Sequence, residues 1–285
     1  MKKKLLIAGS SHTFGLGMEL QHAERYNDIE FLKKNGVFLP NDLIESDEEI
    51  WDKYKWSTLL SKELDLEEIN LNLPKHSKNY WSEGTVINVL LKFLYTDVDE
   101  TQDIEMCIVQ PYLSRLEYMD DNFNEPIVLT PTEMLNVLKN KKSDSDLIKR
   151  IQKFLDEYDQ EEKFLDFVSL FKSVVEKHKH IKFYILLWYE SYEEIKGFKN
   201  YELFSKFIEP HFLKFFSEYR VISPCELLEI NNLLIKDVAF CYTNQYDENG
   251  KKQWEVGEEL DIHASSEGQK LIFQQILKNI RKENI

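Results

Sequence analysis

The chain has 285 residues, 42% of them hydrophobic, with 18 Phe, 14 Tyr and 5 Trp, which is enough apolar material for a sizeable core and argues against wholesale disorder. Its 36 basic and 51 acidic residues give a formal net charge of -15, which repels phosphate backbones and anionic lipid, so neither nucleic acid nor a membrane surface is an expected partner. Three cysteines, Cys107, Cys225 and Cys241, lack metal-ligand spacing and leave one over in any disulfide scheme, which fits a reducing, cytoplasmic compartment.

The apolar run at 5–8 follows Met1-Lys2-Lys3-Lys4 and is too short for the core of a signal peptide. It reads instead as a buried strand of a parallel sheet. No run of 18 apolar residues exists, so no transmembrane helix is expected. Residues 9–17 form a Gly/Ser/Thr turn. Residues 48–64 read as a helix with Ile50, Tyr54, Trp56, Leu59 and Leu60 as its apolar stripe. A second strand is expected at 69–73, stopped by Pro74, then a helix at 83–95 and a third strand at 104–109, followed by Gln110-Pro111. The stretch 118–180 is rich in Lys, Asp and Glu and carries helical patterns. It reads as a helical insertion, a lid or interaction surface, or as an extension of the core. A fourth strand is expected at 181–188, a short fifth at 220–222, and a closing helix at 266–281.

Strands alternating with helices argue an α/β fold, a mostly parallel sheet with helices on both faces, in one domain over 1–285 with the insertion at 118–180 inside it. Gly9, Gly15 and Gly17 do not have dinucleotide-binding spacing, and no phosphate-binding loop is present, so no cofactor is expected. Lys177-His178-Lys179-His180 reads as solvated cations at a helix end, since His at i and i+2 do not share a helix face. No metal site is expected there. The acidic runs 45–49 and 156–162 read as solvated faces.

The chemistry-bearing residues sit near the two ends. Gly9-Ser10-Ser11 directly follows the first strand, where α/β sheets bind ligands. A serine there needs a base, because its hydroxyl is a poor nucleophile at neutral pH. Asp261-Ile262-His263, just before the closing helix, offers an imidazole to act as base and a carboxylate to orient it. Arg115 and Glu117, just past the third strand, are within reach of a cleft, as substrate contacts or as a surface ion pair. The aromatics Trp81, Trp188 and Tyr112 suit a sugar substrate, but Trp81 and Trp188 read better as core.

Gly9-Ser10-Ser11-His12-Thr13-Phe14-Gly15 resembles the first block of SGNH (GDSL-type) hydrolases, Gly-Asp-Ser-x-Thr-x-Gly, with Ser10 in place of Asp. That register makes Ser11 the nucleophile. Asp261 to Gly268 resembles the last block, with Asp-x-His in place of Asp-x-x-His, a variant associated with phage-encoded and related members. Glu258 and Glu259 are the alternative partners for His263. The middle blocks match loosely. Lys75 occupies the position of the oxyanion-hole Gly, and no Asn follows the third strand, so Gln110 or Asn79 stands in as donor beside the N–H of Ser11. The resemblance implies a three-layer α/β/α sandwich of the SGNH/flavodoxin-like kind. It also implies a serine ester hydrolase acting on small-molecule or O-acylated carbohydrate esters. Residues 118–180 match nothing in the family. The eroded middle leaves a second reading: a catalytically weakened structural or binding protein on the same fold, virion-associated if the chain is viral. The oligomeric state is left open.

Overall fold

The computed structural model describes residues 2–9, 53–71, 86–96, 101–111, 116–120, 125–129, 131–139, 145–235, 239–246, 252–257 and 261–282. Strand β1 (Lys4–Ala8) is followed by helix α1 (Trp56–Glu63), β2 (Glu67–Asn70), α2 (Val86–Thr96) and β3 (Ile104–Val109). An antiparallel hairpin of β4 (Leu116–Asp120) and β5 (Glu125–Leu129) comes next, then α3 (Pro131–Lys139), α4 (Ser145–Glu157) and α5 (Gln160–Lys177). These lead to β6 (Lys182–Ile185). Strands β1, β2, β3 and β6 form one parallel sheet in the order β2-β1-β3-β6, so the fold class is α/β.

Strand β1 explains the sheet's burial. Alternate side chains point to opposite faces. Leu6 and Ala8 pack with Phe164 and Phe171 of α5 and with Leu90 of α2. Leu5 and Ile7 pack with Trp56 and Leu60 of α1 and with Ile272 and Ile276 of the C-terminal helix. A strand covered on both faces reads as an unbroken apolar run, which is why residues 5–8 were legible without any alternation.

The stretch expected to be a helical insertion divides in two. Its last part, α5, is core: Phe164, Phe167, Val168, Phe171 and Val174 are buried against the sheet, and the helix is the crossover from β3 to β6. Its first part is not purely helical, since it begins with the β4–β5 hairpin. The acidic run 156–162 is more than a solvated face. Asp159 caps α5 by accepting from the N–H groups of Glu161 and Glu162. The Glu161 carboxylate accepts from the N–H groups of Lys199 and Asn200, which ties a distant loop to the helix start.

Beyond β6 come α6 (Tyr192–Lys196), α7 (Tyr201–Ile208), a 3-10 turn (Glu209–His211) and the short strands β7 (Phe215–Phe216) and β8 (Val221–Ile222). The short strand expected at 220–222 is present at Val221–Ile222, but it lies outside the parallel sheet. Val221 and Ile222 pair antiparallel with β7 across a tight turn in which Ser217 N–H donates to Arg220 O. The place beside β6 goes to Phe212, which bridges Ile185 in parallel. Helix α8 (Pro224–Ile230) has Ser223 as its N-cap. Then come β9 (Leu234–Ile235), a hairpin of β10 (Ala239–Tyr246) and β11 (Lys252–Gly257), β12 (Asp261–Ala264) and α9 (Ser266–Lys282). Among the described residues no helix is long and apolar enough to cross a membrane.

Candidate functional site

From β1 the chain crosses to β2 on one side, and from β3 it crosses to β6 on the other. Connections diverging from two adjacent parallel strands open a crevice at their carboxyl ends, the usual ligand position in such sheets. Here the crevice lies between β1 and β3. Gln110 N–H donates to Ala8 O at 2.7 Å, so the segments leaving the two strands start side by side. Gly9 is the last described residue of the first segment. Gln110 and Pro111 are buried at the start of the second. Ser10 and Ser11 lie outside the described residues, as do Lys75, Asn79, Arg115, Glu258, Glu259, Trp81 and Tyr112. Trp188 is described and belongs to the core, as its position at a strand end suggested.

The backbones of Asp261 and His263 belong to β12, which pairs antiparallel with β9, Asp261 standing opposite Ile235. Two devices fix the step from this strand into α9. Ser265 caps the helix by accepting from Gly268 N–H at 3.1 Å, and its own N–H donates to Leu233 O at 2.9 Å. Gly268 lets the first turn lie against β9: an added Cβ would stand 2.7 Å from Leu233 O and 2.9 Å from a Leu228 methyl. Replacing Gly by Ala inside a helix ordinarily stabilises it. Here Gly268→Ala is expected to destabilise by about 1–3 kcal/mol, because the obstacle is backbone and cannot turn aside. Urea unfolding checks the sign, and an unchanged or raised midpoint counts against this packing.

Contacts along α9 orient it. Gln269 Oε1, in its first turn, accepts from Trp56 N–H at the start of α1, at 3.1 Å. Arg281, near its last turn, pairs with Glu63 at the end of α1. The end of α1 leads into β2, where Glu67 N–H donates to Lys3 O beside the start of β1. The last turn of α9 is thus at the amino edge of the sheet, and its first turn points to the carboxyl edge, the edge of Gly9 and Gln110.

A buried polar cluster sits beside this junction, and the sequence reading missed it. Lys55 is 1% exposed, and its Nζ lies 3.0 Å from Glu68 Oε1 on β2. The Ser57 and Thr58 hydroxyls donate to the same carboxylate at 2.7 and 2.6 Å, and Asn70 Nδ2 donates at 3.3 Å. Burial pushes the Glu68 carboxyl up, but the Lys55 ammonium and the two hydroxyls outweigh it and hold the group below the usual glutamate range. The cluster also shapes the helix. Residues 53–54 are helical, Lys55 is extended, and α1 restarts at Trp56, in place of the continuous helix expected over 48–64. Residues 48–52 of that helix lie outside the described residues.

Glu190, beyond the carboxyl end of β6, is another titratable group that the sequence reading did not single out. Burial raises its pKa, Glu194 adds to this, and Gln160 Nε2 donates to it at 3.3 Å. The signal available in the sequence was its position directly after an apolar strand. No family model and no curated protein matches the chain.

Proposed function

We propose that the chain is a serine ester hydrolase on a three-layer α/β/α fold of the SGNH kind. The observation that carries this reading is the strand order: the crevice between β1 and β3 opens at Gly9, two residues before Ser11, on the edge toward which the first turn of α9 points. In this reading the Ser11 hydroxyl attacks the ester carbonyl while His263 takes its proton. Asp261 orients the imidazole and stabilises its charged form. Collapse of the tetrahedral intermediate expels the alcohol, which leaves with the proton from His263. Water, activated by the same imidazole, then releases the acid. The N–H of Ser11 is one donor to the oxyanion, with the N–H at Lys75 and the side chain of Asn79 or Gln110 completing the set. Small acetyl esters and O-acylated carbohydrates are the substrate class. The test is turnover of p-nitrophenyl acetate by the purified chain above the buffer rate.

One observation favours the second reading, a binding or structural component on this fold. Gln110 stands after β3, where the family presents an Asn donor to the cleft, and its side chain is fully buried. In this second reading the amide serves the core and not an oxyanion. Absence of turnover in a folded chain is the result that would select this reading.

A further inference from the structure

A cavity of about 430 Å³ opens beside the first residues of β6, at the amino edge of the sheet and away from Gly9. It arises from the way the sheet ends. The outer edge of β6 is covered by chain at Ile185, where Phe212 bridges it and Leu213 N–H donates to Ile185 O at 3.0 Å. Earlier along the strand the neighbour is the 3-10 turn: His211 Nδ1 lies 2.8 Å from Phe183 O. A turn fills less space than a strand, and the cavity is the remainder. Its volume is within the range of small-molecule sites.

The lining has two characters. Ile181, Phe183 and Pro210 give an apolar wall, and the lining carries the basic side chains Lys179, Lys182 and His211 and no carboxylate. In a chain of net charge -15 such a lining runs against composition. Among the described residues, neither the Lys179 nor the Lys182 ammonium has an ion pair or hydrogen bond. The positive density extends along the end of α5. His178 is held below its usual range by its burial and by the charges of Lys177 and His180. The His211 ring is fixed edge-on to Phe171 at 5.4 Å and tilted against Phe207 at 5.2 Å. Because Nδ1 faces a carbonyl oxygen, it carries the proton, and Nε2 is the remaining basic atom.

We propose that this cavity binds a small organic carboxylate with an apolar body. The carboxylate lies between the Lys179 and Lys182 ammonium groups, and the body lies against Ile181, Phe183 and Pro210. The site is independent of the esterase reading, since it shares no residue with it.

The test is titration of the full chain with 2-naphthoate and, separately, with uncharged 2-naphthamide, followed by fluorescence and by the histidine ring C–H signals in NMR. His211→Asn identifies the His211 signal among the seven histidines. Saturable binding of naphthoate that shifts the His211 signal is expected. Naphthamide is expected to bind about tenfold more weakly, and Lys179→Gln with Lys182→Gln, both exposed changes, to weaken naphthoate by about tenfold. The proposal is overturned by equal affinity for acid and amide, by equal affinity in the lysine double variant, or by saturation that leaves the His211 signal unmoved.

Discussion

Ser11→Ala is expected to lower the hydrolysis of p-nitrophenyl acetate by roughly 10⁴-fold or more, to near the buffer rate, while Ser10→Ala leaves most of it. The size of the effect follows from the chemistry. An alanine leaves no atom to form the acyl-enzyme, so only binding and oxyanion stabilisation remain, and these alone give a small fraction of the rate. The contrast between the two serines tests the register. The Gly-Ser-Ser turn after β1 offers both hydroxyls, and only the alignment with Thr13 and Gly15 selects the second. Equal losses in the two variants, or a larger loss at Ser10, would move the nucleophile. Far-UV circular dichroism on both variants keeps a folding defect from being read as a catalytic one.

Lys55→Met is expected to cost about 3–5 kcal/mol of stability at neutral pH, because it leaves the Glu68 carboxylate buried without its counter-charge. The loss has a defined pH dependence. In the native chain the Glu68 carboxyl titrates below its unfolded value, so its contribution is present above about pH 4.3 and is lost as pH falls through the folded value. In the variant only the Ser57 and Thr58 hydroxyls oppose burial, and the carboxyl takes up a proton more readily. The gap between the two proteins therefore narrows as pH drops below about 4. Adding Glu68→Gln to Lys55→Met should recover most of the loss, since a neutral amide has an oxygen to accept from one of the Ser57 and Thr58 hydroxyls and an NH2 to donate to the other. Urea titrations at pH 7 and pH 4 read all three chains. A cost under about 1 kcal/mol, or one that does not change with pH, would mean that the pair contributes little.

The strands that were legible are those whose residues carry one message. Residues 5–8 are apolar throughout, and 104–109 are apolar but for the exposed Glu105, because both faces of the sheet are covered, and the structure gives β1 and β3 there. Strand β2 was misplaced by two residues because Glu67 and Glu68 open it. Charged residues argue against a buried strand unless a partner is known, and Lys55, 13 positions earlier, gives no local sign of being one. The same partner broke the expected helix at Lys55. Helix α5 looked like part of an insertion because its solvent face is densely charged. Its core face, Phe164, Phe167, Val168 and Phe171, follows the helical period that the sequence does show. The short strand expected at 220–222 is there at Val221–Ile222, but its partner is Phe215–Phe216 across a tight turn and not the parallel sheet, a pairing that its own composition does not encode.

Of the candidate site, the sequence indicated the residue types and the two ends of the chain that bear them. The capped start of α9 was legible in outline, since Ser265 precedes the helix and Gly268 follows three residues on. The reason for that glycine, its closeness to Leu233 O, is tertiary and has no sequence signal. The orientation of α9 by Trp56 and Glu63 spans more than 200 positions in sequence, which no local pattern encodes.

Reaction of the purified chain with a fluorophosphonate, followed by peptide mapping, tests the central claim most directly, because the probe bonds only to a serine that a neighbouring base activates. Covalent label on Ser11, abolished in His263→Ala, is the result this account predicts. A folded chain that takes no label, or takes it on a serine other than Ser11, contradicts it.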